Sequence, residues 1–215
     1  MTSRAESAGA LARAGLVRRG LRLGYFTVIY NSLEGLIALG AGVLAGSVAL
    51  IGFGADSLIE VTAGVAALWR LGRDIDPVQR EHAERLTLRI VGFCFLALAV
   101  YVVWDSLAAL IGQDEPRESV TGIALAAVSL VVMPLLARAK RNVALAMRSG
   151  ALVAEAKQTA LCTWLSAILL GGLLLNALFG WWWADPVAAL AMVPIIAREG
   201  WDGMQGRSAC EDDCC

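Results

Sequence analysis

Apolar runs of about twenty residues recur along this chain, and short charged clusters divide them. A mostly apolar run of about 20 residues is what a helix needs to cross the hydrocarbon core of a bilayer. Within lipid the backbone must satisfy its own polar groups, so such runs become helices or closed barrels. Six runs are legible: Leu23 to Ala45, Ser47 to Trp69, Thr87 to Ile111, Val120 to Leu136, Ala151 to Phe179, and Asp185 to Trp201. Hydrophobic residues make up 58% of the 215, above the roughly 45–50% of soluble domains. The pattern predicts an all-α membrane protein of six transmembrane helices. Glycine and alanine crowd the first, second and fifth runs, which allows close helix approach. Pro134 removes a backbone donor from the fourth and predicts a bend.

Basic residues set the expected orientation. Five arginines precede or open the first run (Arg4, Arg13, Arg18, Arg19 and Arg22). Arg70, Arg73, Arg80 and Arg85 lie between runs two and three, and Arg138, Lys140, Arg141 and Arg148 between runs four and five. The other side has only Arg117, in "QDEPRES". The bias of Lys and Arg toward cytoplasmic loops places both termini inside. Trp181, Trp182 and Trp183 then join the outer aromatic belt. The expected organisation is a cytoplasmic segment over 1–21, a six-helix transport domain over 22–203 and a short Cys- and acid-rich tail over 204–215. No cleavable leader is recognisable before the first run. A multi-pass protein of a bacterial inner (plasma) membrane is expected.

Against this background "GFGADSLIEVTAG", residues 52 to 64, is costly. Asp56 and Glu60 are the only charges between Ser47 and Leu68. Four residues apart on a helix, they share a face. A charge at that depth costs about 2.5–3.5 kcal/mol on insertion scales and marks an ion or proton pathway. A shared proton or a bound cation relieves the repulsion between them. In the fifth run, "AEAKQTALCTWLS" sets Gln158 and Cys162 at the same spacing, with Cys162 at about the depth of Asp56. If the faces meet, two carboxylates, an amide oxygen and a thiolate converge, a set suited to a tetrahedral divalent metal such as Zn²⁺.

Three stretches carry a resemblance. "SVALIGFGADSLIE" is similar to the second helix of the cation diffusion facilitator family, "AEAKQTALC" to the start of its fifth, and "ADPVAALAM" to the opening of its sixth. The resemblance implies a divalent metal efflux transporter that exchanges metal for protons by alternating access. By matching position, it implies a metal site of Asp56, Glu60, Gln158 and Cys162. Zn²⁺ is the first expectation, with Cd²⁺, Co²⁺, Fe²⁺ or Mn²⁺ as alternatives, and no permanently bound cofactor. Gln158 and Cys162 stand where the family commonly has His and Asp, and Glu60 where it has Asp, which brings softer metals into range. The resemblance also implies a homodimer and a short member without the family's C-terminal cytoplasmic domain. The tail thiols Cys210, Cys214 and Cys215, with Glu211, Asp212 and Asp213, form a candidate metal-capture segment or a solvated end.

Asn31 and Glu34, one turn apart in the first run, are expected to line the polar cavity as accessory ligands or part of a proton pathway. Asp105 and Asp185 lie nearer the outer side, on a release path or as helix caps. His82, the sole histidine, reads as a surface residue. No nucleophile–His–acid set supports an enzyme, and a net charge of −1 gives no case for nucleic acid. Two rivals remain: a membrane proton relay or channel built on Asp56, Glu60 and Glu34, and a metal-sensing scaffold that reports through its cysteine tail.

Overall fold

The computed structural model describes residues 2–71, 77–113, 115–147 and 150–205. Among them the chain forms six α-helices and no strand: α1 Thr2–Ala45, α2 Val48–Leu71, α3 Pro77–Gly112, α4 Val120–Ala146, α5 Gly150–Phe179 and α6 Ala184–Met204. Helices α1 to α5 each contain a stretch long and apolar enough to cross a membrane. α6 falls short by composition, because Asp185, Arg198 and Glu199 lie within its 21 residues. The tail with Cys210, Cys214 and Cys215, and the side chain of His82, lie outside the described residues.

Three helices run beyond the apolar runs that announce them. α1 is helical from Thr2, so the segment expected to precede the first span is continuous with it. α3 begins at Pro77, with proline at the first helical position, where its missing N–H costs nothing. α4 passes Leu136 and ends at Ala146. "ARAKRNVALA" is rich in good helix formers, so charge does not stop the helix. This corrects the reading of Arg138, Lys140 and Arg141 as loop residues: they form the last turns of α4. Pro134 sits inside that helix and does not end it.

The helices associate mainly as α1 with α2, α4 with α5, and α3 with α6. α2 also touches α3, α5 and α6, and is the most buried of the five apolar spans. The α1–α2 turn needs only Gly46, whose φ of +68° suits glycine. The two helices then approach closely: a Cβ on Gly54 would lie 2.9 Å from the Leu39 nitrogen, and one on Gly35 would lie 3.0 Å from the Gly54 oxygen. α3 and α6 touch in the same way at Gly92, where a Cβ would come within 2.7 Å of the Gly200 oxygen.

Polarity is inverted relative to a soluble domain. Large apolar side chains face outward, Leu44 at 80% and Ile111 at 83% exposure, while Asn31, Glu34, Asp56, Ser57, Glu60, Lys140 and Thr159 are buried. Lipid covers the first set, and hydrogen bonds within the bundle must satisfy the second. At one end Asp185 of α6 accepts from Ser47 Oγ at 2.5 Å and from the Ala49 N–H at 3.3 Å. Ser47 Oγ also receives the Leu50 N–H at 3.1 Å, so serine and aspartate together cap the start of α2. Asp185 is thereby a helix cap. Asp105 is engaged by the Tyr101 hydroxyl at 3.2 Å.

Candidate functional site

α2 and α5 cross with the Asp56–Glu60 face toward the Gln158–Cys162 face. Helical geometry puts i and i+4 on one side of each helix. Gly52 and Gly54 flank the approach on α2, and small residues there let the neighbouring helices close in. Asp56, Glu60 and Cys162 are 4%, 2% and 4% exposed. The Cys162 thiol lies 3.0 Å from Glu60 Oε2 and 3.4 Å from Asp56 Oδ2 and donates toward both. A thiol has one proton and two carboxylates lie within reach of it, so the three groups form one hydrogen-bonded unit.

Gln158 lines the same pocket as Asp56, Glu60 and Cys162, together with Glu199 of α6 and the ring of Phe95 of α3. Its buried Nε2 has no hydrogen-bond partner. An orphaned buried donor costs about 1–3 kcal/mol and calls for an acceptor; toward a cation it is the amide oxygen of Gln158, not Nε2, that could serve. Among the described residues no three His, Cys, Asp or Glu side chains stand in a ready-made coordination shell. The groups are knit by hydrogen bonds instead.

Glu60 has a second partner. Thr159 Oγ1 donates to Glu60 Oε1 at 2.8 Å and accepts from Lys140 Nζ at 2.9 Å. Lys140 is ion-paired with Glu155 at 2.9 Å; Lys140 is buried and Glu155 partly buried, at 6% and 11% exposure. A cation therefore lies one residue behind the carboxylate pair. The charge falls at the end of an apolar run, and only the continuation of α4 turns it inward.

Asn31 and Glu34 occupy an adjoining polar patch and do not line the pocket itself. Glu34 accepts from Ser57 Oγ at 3.0 Å and from Ser129 Oγ, which also pairs with the Tyr30 hydroxyl at 2.9 Å. This network joins α1, α2 and α4 beside Asp56. Asn31 is wholly buried, and neither polar atom of its side chain has a partner. Glu199, which the sequence did not single out, reaches the pocket because it stands about one turn before the end of α6, where a charge looks like a helix terminus.

The model of the cation efflux transmembrane domain matches residues 25–203, which is most of the chain and all of this site. The chain belongs to the cation efflux family. A curated relative, the uncharacterized transporter sll1263 of Synechocystis sp. (strain ATCC 27184 / PCC 6803 / Kazusa), is 24% identical over 162 residues, or 73% of this chain and 52% of the relative. The chain spans about half the length of that relative. The matched family domain is a transmembrane one, and α2 and α5 with their acids, amide and thiol lie within it.

Proposed function

We propose that this cation efflux protein carries a divalent metal, Zn²⁺ first, out of the cytoplasm in exchange for protons. The supporting observation is the Cys162 thiol shared by Asp56 and Glu60 across the α2–α5 contact. Metal ligands must be deprotonated, so a divalent ion entering this unit expels protons and returning protons expel the ion. One site serving both is what coupled exchange requires. Asp56, Glu60 and Cys162 bind the ion as two carboxylates and a thiolate, and Gln158 supplies the neutral fourth ligand. Because α2 and α5 hold two ligands each, a rocking of one helix pair against the other opens the site to one side at a time. Protein in a bacterial inner membrane works as a homodimer in this reading, with both termini in the cytoplasm.

The test is flux in proteoliposomes with an imposed pH gradient. Wild-type protein moves Zn²⁺ against protons, whereas Asp56→Asn and Glu60→Gln each abolish coupled flux while purifying as folded protein. Wild-type flux in either variant would remove α2 from the site. Proton flux that is indifferent to metal would favour the proton-relay reading, for which the hydrogen-bonded run from Glu155 to Asp56 offers a path.

A further inference from the structure

Thr159 stands between a buried cation and Glu60. It accepts from Lys140 Nζ at 2.9 Å and has two acceptors within reach of its single proton. One is Glu60 Oε1 at 2.8 Å, and the other is the Glu155 carbonyl of its own helix at 3.1 Å. An ammonium on the hydroxyl oxygen polarises the O–H and strengthens its donation, as in any hydrogen-bonded chain at low dielectric. The carboxylate is the stronger acceptor. Glu60 is thereby divided: Oε1 is taken by Thr159, and Oε2 faces the Cys162 thiol and Asp56.

Resting on the transport reading above, we propose that Thr159, backed by the Lys140–Glu155 pair, determines metal specificity by leaving Glu60 one oxygen to give. Small ions with four ligands use single-oxygen carboxylates at close range. Ions that prefer six or more oxygen ligands gain from a carboxylate that presents both. A tied Oε1 denies them the second oxygen. Thr159 and Lys140 do not touch the ion; they are positioning residues that act through Glu60.

The experiment measures Zn²⁺ and Mn²⁺ transport by the purified full chain in proteoliposomes and reads the ratio of their kcat/KM values. Thr159→Val keeps the shape and removes the donor, and Thr159→Ser keeps the donor. The Zn²⁺/Mn²⁺ ratio falls about tenfold in Thr159→Val, the scale of one hydrogen bond to a charged group, and stays within about twofold of wild type in Thr159→Ser. The Lys140→Met, Glu155→Met double variant removes both charges, so neither is left buried alone, and it shifts the ratio the same way by less. An inactive, misfolded fraction scales both fluxes alike and cancels, so the ratio reports the folded protein alone. A wild-type ratio in Thr159→Val, or an equal fall in Thr159→Ser, overturns the proposal. A wild type that moves neither ion overturns the transport reading along with it, so the two failures are distinguishable.

Discussion

Cys162 places a polarisable sulfur between two hard carboxylates, and in the proposed site that mixture sets which ions fit. Thiolate favours soft and borderline ions, and carboxylate favours harder ones. Replacing Cys162 by Ser keeps a hydroxyl donor in place of the thiol, at 3.0 Å from Glu60 and 3.4 Å from Asp56 in the wild type. Cys162→Ser is expected to weaken the affinity for Zn²⁺ and for Cd²⁺, with Cd²⁺ affected more, as titration of detergent-purified protein at fixed pH will show. An unchanged Cd²⁺ affinity would leave Cys162 as packing. The companion variant Gln158→His with Cys162→Asp rebuilds the ligand set common in the resembling family at unchanged helical spacing. It is expected to stay active and to shift preference toward Zn²⁺ over Cd²⁺. Loss of all metal binding in that variant, with the fold intact, would mean that Gln158 and Cys162 do not share an ion.

Helix contacts decide how firmly these side chains are held. Gly54 and Gly35 allow α1 and α2 to touch backbone to backbone, and a Cβ on Gly54 would meet the Leu39 nitrogen at 2.9 Å, where no side chain can swing away. Gly54→Val therefore forces the helices apart and costs about 1–3 kcal/mol as overpacking. The expected readout is a lower unfolding temperature in detergent together with loss of flux, and a melting curve matching wild type would contradict it. The i, i+4 spacing put Asp56 with Glu60 and Gln158 with Cys162 on one face each, and the family resemblance implied that those faces meet; the approach of Cys162 to Asp56 and Glu60 follows that expectation. Lys140 was not legible, because an apolar run stops at its first charges although the helix continues. Thr159 was hidden for another reason. Hydroxyl side chains in helices ordinarily bond back to the carbonyl four residues earlier, as Thr27, Ser32, Ser57 and Ser166 do here. Thr159 has that bond available as well, so only its position between α4 and α2 sets it apart.

In the proposed exchange, metal and protons compete for one buried unit, and the sign of the pH dependence follows. Acidification on the loading side fills the ligands with protons, so the apparent metal affinity falls as pH falls, by up to about tenfold per pH unit for each proton displaced. An acidic outer compartment promotes release. Zn²⁺ uptake into inside-out vesicles is thus expected to rise with the pH of the external, cytoplasm-facing medium, and uptake that rises on acidifying that medium would contradict exchange. The tight α1–α2 turn bears on how such a molecule enters the bilayer at all. Two mid-span acids, at about 2.5–3.5 kcal/mol each on insertion scales, make α2 a poor passenger alone. α1 lies ahead of it with Gly46 and Ser47 as the link, and Ser57 of α2 already binds Glu34 of α1. Helices joined so closely partition as one hairpin, in which hydrogen bonds between the arms lower the cost of their polar groups in lipid. Lengthening that link by a polar segment should strand α2 in water during biosynthesis, even though every ligand of the finished site is still encoded.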